Sequence, residues 1–131
     1  MINIDDFKKV EIKAGKIISA EAIEGSDKLL KLSVDFGDEG INGTEDMLQK
    51  QATSAAGRQV ISGIKKYFED PQSLVGTICS FVTNLEPREI MGLKSEAMIM
   101  AVSGDLPAGE AGNFFSLLKV SENVPPGSIV K

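Results

Sequence analysis

The chain has no histidine and no tryptophan, and only one cysteine and one tyrosine, among 131 residues. Without histidine, the commonest general acid–base and metal ligand is missing, so no Ser/His/Asp or Cys/His nucleophile can be assembled. One thiol makes neither a zinc site nor an internal disulfide. Cys79 lies in the apolar run TICSFVTN and reads as a small buried side chain. No GxxxxGK(S/T) or GxGxxG phosphate loop occurs. Nineteen acidic residues leave a carboxylate-only hydrolase formally open, yet no pair stands out. The expectation is a chain with no catalytic apparatus, no metal and no cofactor. No apolar run approaches the ~18–20 residues needed to span a bilayer. MINIDDFKK lacks a basic segment followed by an apolar one, so no signal peptide is expected. The expected compartment is the reducing cytoplasm.

What is present is globular: 42% apolar and 25% charged residues, in a length that suits one domain. The net charge of −5 argues at first against a nucleic-acid ligand. The excess is local, because Asp35, Asp38, Glu39, Glu45 and Asp46 fall between residues 35 and 46 with no basic residue among them. Without those five the chain is neutral, which leaves room for a basic face elsewhere.

Residues 4–9 read as one helical turn with Asp5 and Asp6 at its N-terminal end. In residues 10–23, Val10, Ile12, Ala14, Lys16 and Ile18 alternate, and the phase shifts around Gly15 to Ile17, the mark of a bulge in a long first strand. LLKLSVDF (29–36) is a second strand with Leu30, Leu32, Val34 and Phe36 on one face. Residues 37–57 read as an inserted excursion, with Thr44 as N-cap of a short helix that Gly57 can end. RQVISGI (58–64), TICSFVTN (77–84) and AMIMAVS (97–103) are the next strands, the last of them largely buried. Between the third and fourth lies a short helical connection with Pro71 in its first turn. EPREIMGLKSE (86–96) reads as a polar loop, and FFSLLKV as an extra strand after a flexible linker. This order predicts an all-β fold: a five-stranded OB-fold Greek-key barrel with a short helix between strands 3 and 4 and a C-terminal strand extension. Residues 1–103 form the barrel, and residues 104–131 form an extension that packs on it or on a dimer partner.

The blocks IDDFKKVEIKAGKI, EGSDKLLKLSVDFG, RQVISGIKKYF and VTNLEPREIMGLKSEAMIMA, in that order, resemble the tRNA-binding domain family. The tail FFSLLKVSENVPPGSIVK is similar to the extension of its methionyl-tRNA synthetase branch. The resemblance implies an OB barrel that binds folded tRNA by shape and backbone. It also implies a C-terminal domain or β subunit serving methionyl-tRNA synthetase, and a homodimer formed through the terminal segments. No DNA or membrane partner is expected. The alternative from the same fold is a protein-interaction module, either a dimerisation domain or a secretion-chaperone-like peptide binder, which the acidic balance favours.

The most diagnostic stretch is NLEPREIMGLKSEAM, residues 84–98. Asn84 offers amide donors and acceptors, Arg88 a planar fork for phosphate and Lys94 a mobile charge. Ser95 and Met98 match the family's Ser-x-x-Met pattern. Ser95 reads either as a phosphate or 2′-hydroxyl contact or as a strand-start cap, and Met98 equally as a contact or a core residue. Arg88 reads alternatively as a loop charge paired with Glu86 or Glu89. Lys28 and Arg58 complete the candidate tRNA-binding set, since strands 2 and 3 form the usual OB binding face. Against the family pattern, Glu89 and Met91 stand where many relatives carry basic residues, and Ala97 replaces a common glycine. Aromatic platforms are few, which disfavours a single-strand-binding role.

Overall fold

The computed structural model describes residues 1–37, 57–107 and 112–131. The expected excursion with its Thr44 cap therefore lies, apart from its ends, outside the described residues. The chain begins with one turn of helix, α1 (Ile4–Phe7), capped by Asn3, whose Oδ1 accepts from the Asp6 amide at 2.8 Å. Five strands then form one antiparallel sheet: β1 (Ile12–Ala22), β2 (Leu30–Asp35), β3 (Arg58–Ser62), β4 (Ile78–Val82) and, two short strands later, β7 (Met98–Ile99). Their lateral order is β3-β2-β1-β4-β7.

β1 is long because it serves two neighbours. Ile12–Lys16 pairs with β4, Lys16–Ala22 pairs with β2, and the register shifts between Ile17 and Ser19. The buried set passes from Ile12 and Ala14 to Ile17 across Gly15, where the sequence shows its phase change, and from Ile17 to Ala20 across the register shift. Gly15 sits at the bend, where a Cβ would lie 2.6 Å from Val34 Cγ1 and 2.7 Å from Phe36 Cε1. The bent strand can cross the barrel interior only without a side chain there. β2 alternates strictly, and Leu30, Leu32 and Val34 join Ile17, Val60 and Phe81 in the core. Phe36 meets Phe81 edge-on with ring centroids 5.3 Å apart.

The sheet closes through side chains as well as backbone. Between β3 and the segment after β6 (Leu93–Ser95), the Glu96 amide donates to Gln59 O at 2.8 Å. Gln59 Nε2 donates to Lys94 O at 2.8 Å, and the Ile61 amide donates to Ser95 Oγ at 3.0 Å. The result is a nearly closed five-stranded barrel of OB type. The helical connection between β3 and β4 is present as two 3₁₀ turns, Lys65–Tyr67 and Pro71–Leu74, the second with its proline in the first turn and Leu74 in the core.

Two sequence expectations change. The segment 86–96 is not a loop but a hairpin, β5 (Arg88–Ile90) with β6, turned by Met91 and Gly92. The strand expected over 97–103 breaks at Met100. Only β7 belongs to the barrel, while β8 (Ala101–Asp105) leaves it to pair with β9 (Asn113–Leu117), so Ala101, Val102 and Ser103 are exposed. The boundary expected after Ser103 thus falls inside β8.

The tail then returns to the barrel twice. Beside β4, Ser80 N donates to Leu118 O at 2.9 Å and Val120 N to Ile78 O at 2.9 Å, while Leu117 enters the core. Beside β1, Ala14 N donates to Ser128 O at 2.8 Å and Val130 N to Ile12 O at 2.9 Å. Each contact fills a strand edge where the barrel partner has already left, β7 in the first case and β2 in the second.

Candidate nucleic-acid interface

The β5–β6 hairpin carries much of the diagnostic stretch, and its register decides which side chains act together. Arg88 lies opposite Ser95, Glu89 opposite Lys94 and Ile90 opposite Leu93. Alternation therefore puts Arg88, Ile90 and Ser95 on one face and Glu89 and Lys94 on the other. The first face borders a cleft of about 100 Å³ whose lining also includes Ile61, Leu85, Glu86 and Met98. Of the candidate residues, Arg88, Ser95 and Met98 share this cleft. Lys94 projects from the outer side of the same hairpin, with Glu89 facing it across the strands.

The roles within the cleft divide. Arg88 is exposed and has no ion pair among the described residues. Met98 is half exposed, at 49%, so its side chain belongs to the surface although its neighbours Ala97 and Ile99 are buried. Ser95 is buried; its hydroxyl accepts from the Ile61 amide and sits 3.2 Å from Ala97 O. It holds the hairpin to β3 rather than presenting a hydroxyl to solvent.

Lys28 is exposed at the turn before β2. Its carbonyl accepts from the Lys65 amide at 3.1 Å, and Lys65 Nζ donates to Ser26 O at 3.3 Å, which fixes that turn against the end of β3. The preceding Gly25 stands 3.9 Å from Met91 Cε by its Cβ position, so this turn and the hairpin tip are neighbours. Lys31, on β2, pairs with Glu21 at 3.5 Å.

Arg58 and Asn84 lie elsewhere, in a polar cluster that ties down the N-terminal segment. Asn84 Oδ1 accepts from the Glu11 amide at 2.9 Å and its Nδ2 donates to Lys9 O at 2.7 Å. Arg58 stacks over the Phe36 ring at 5.1 Å and donates to Thr83 O at 3.2 Å. The Thr83 hydroxyl donates to Glu11 Oε1, and that bond holds the Glu11 carboxyl below its ordinary range against the opposing effect of burial, assisted by the charges of Lys13 and Arg58. Both candidate side chains have their polar groups occupied here. At the opposite extreme of reactivity, burial pushes the Cys79 thiol up, away from the nucleophilic thiolate. No group of three or more potential metal ligands occurs among the described residues.

The cleft walls Ile61, Leu85 and Ile90 were missed from the sequence. The available signal was REI-MG-LKS, two short alternating runs around a two-residue turn, which is hairpin grammar.

With barrel and cleft in place, the family comparison is decisive: residues 12–129 match the family described as "Putative tRNA binding domain". The chain belongs to the tRNA-binding domain family. Over all 131 residues it is 40% identical to part of the methionine–tRNA ligase of Methanoregula boonei and 36% identical to part of that of Deinococcus radiodurans. It spans only 16% of the length of each of these relatives. Among solved structures, a MetRS-related protein from Pyrococcus horikoshii superposes with a TM-score of 0.74 at 30% identity, covering 100% of this chain and 98% of that one. The chaperone CsaA of Bacillus anthracis, at 24% identity and a TM-score of 0.69 over 100% of this chain and 99% of its own, shares the fold. As a tRNA-binding domain, the chain corresponds to a non-catalytic portion of the ligases it matches.

Proposed function

We propose that this tRNA-binding domain grips folded tRNA with the face formed by the β5–β6 hairpin and the β1–β2 turn. Arg88, Lys28 and Lys94 supply charge and Met98 an apolar contact, while Ser95, Asn84 and Arg58 keep the frame rigid. The observation that carries this is the gathering of an exposed Arg88 with Met98 on one cleft of a barrel that belongs to the tRNA-binding domain family. The domain raises the local concentration of tRNA for methionyl-tRNA synthetase in the cytoplasm, as its terminal module or separate subunit, and performs no aminoacylation itself. Fluorescence anisotropy with folded tRNA, set against unstructured RNA of equal length over a salt series, is the test. Equal affinity for the two RNAs would sink the proposal.

A finer element concerns assembly. Ile4, Val10, Ile129 and Val130 are all exposed and border one groove where the two ends of the chain meet. A second copy of this chain covering that groove gives a homodimer with two RNA-binding faces, and so avidity from individually weak sites. Sedimentation of Ile129→Glu against the parent chain checks it: the expected outcome is a dimer for the parent and a folded monomer for the variant.

A further inference from the structure

The cleft beside Arg88 has a composition that phosphate binding alone does not require. Leu85 and Met98 stand at its mouth, each 49% exposed, Ile90 is half-buried, and Ile61, Ala97 and Ile99 form a buried apolar floor. Large apolar side chains left in water around a concave site gain free energy only from an apolar partner. A phosphate offers none, since its oxygens are satisfied by the Arg88 fork at the rim. The polar groups at the cleft are few: Arg88, Glu86, Ser62 and the already bonded Ser95. A flat ring with a polar edge suits this arrangement, its faces against Leu85 and Met98 and its edge toward Glu86.

We infer that the cleft receives one unstacked base of the bound RNA, cytosine in preference to uracil, with Arg88 on the adjoining phosphate. The inference rests on the tRNA reading above and adds to it a base-binding subsite. The preference follows from the rim. The exocyclic amino group of cytosine donates to a carboxylate, as in Glu–cytosine contacts generally. In uracil the ring N–H is flanked by two carbonyl oxygens, both of which the Glu86 carboxylate repels. An apolar side chain of a protein would fill the same walls but would leave Arg88 and Glu86 without a role. RNA structure provides the opportunity, because loops and ends present unstacked bases that proteins take up on apolar or planar surfaces.

The experiment is a methyl NMR titration of the full chain, labelled at methionine, with r(C)4, r(U)4, folded tRNA and a leucine-rich peptide as ligands. Anisotropy with the same tRNA runs in parallel. Ring current from a bound base is expected to move the Met98 methyl upfield, and r(C)4 to saturate at a concentration at least about threefold below r(U)4. Met98→Ala, at a surface position, is expected to weaken both tetranucleotides by roughly threefold, less than an aromatic platform contributes. Glu86→Ala is expected to bring the C-to-U ratio to one. If tRNA binds while the Met98 methyl stays fixed, the base subsite and the Met98 contact are refuted, while tRNA binding through Arg88, Lys28 and Lys94 stands. A Met98 shift with the peptide but with neither tetranucleotide assigns the cleft to a protein partner and overturns the inference. Absence of tRNA binding at low salt removes both.

Discussion

Arg88 and Ser95 face each other across two paired strands and perform opposite tasks. Arg88 is exposed and spends no hydrogen bond on its own chain among the described residues, so its loss is felt by the ligand alone. Arg88→Ala is expected to weaken tRNA binding by about tenfold, the size of one charge-assisted contact, with an unchanged melting temperature. Ser95 accepts from the buried Ile61 amide. Ser95→Ala strands that donor and is expected to cost about 1–3 kcal/mol of stability, read by denaturant melts, with RNA affinity of the folded fraction preserved. Glu11 gives the pH-dependent counterpart. Its carboxyl titrates below the ordinary value of 4.5 in the folded state, chiefly through the Thr83 hydroxyl. A lowered folded value means the stabilisation is present above pH 4.5 and is lost as the pH falls through the folded value. Thr83→Val should therefore melt earlier than the parent at neutral pH, and the gap should close in acid. A gap that persists unchanged below that range contradicts the assignment.

At the level of elements, the legible parts were those where one local rule governs. β2 announces itself because Leu30, Leu32 and Val34 alternate with polar residues and all three point into the core. The bend in β1 shows as a slipped phase around a glycine. The hairpin was harder to see because its turn breaks the residue preferences: Met91 occupies a left-handed conformation, φ +51°, ahead of Gly92 at +78°. Asparagine or glycine normally fills such a position. Met91→Asn should accordingly stabilise the domain by up to about 1 kcal/mol, measurable in chemical denaturation. For Ser95 and Asn84 the sequence could not separate RNA contact from barrel closure for a related reason, since a hydroxyl or amide that closes a barrel is spelled the same as one that meets a phosphate. Partnerships such as Asn84 with Lys9 and Glu11 join distant segments, and no spacing rule reveals them. The tail was recognised as an added strand, but its two returns to the barrel depend on edges left by β7 and β2. Truncation after Ser103 removes Leu117 from the core and bares both edges. The expected outcome is a large fall in melting temperature, so point changes in the terminal groove are the sounder probe of assembly.

For the whole molecule, charge sets the strength of binding. The net charge is −5, and the cations free to meet phosphate on the proposed face are few: Arg88, Lys28 and Lys94. With about three or four phosphate contacts, log affinity against log salt should fall with a slope of roughly −2 to −4. A slope near −8 would show that the RNA covers far more of the surface than this face. Weak individual grip fits a module that acts beside a larger body or in duplicate. The stapled tail has a further consequence, in time rather than in energy. Ala14 and Ser128 come from opposite ends of the chain, yet their backbone bond helps fill the edge of the first strand. Contacts between such distant segments form slowly, because the intervening loop must close first. During synthesis the edges of β1 and β4 therefore stay open until residues 118–130 emerge, and an open strand edge is a template for mispairing. The interval between the emergence of β4 and that of this segment, rather than any step within the barrel, is when the domain is most exposed to aggregation.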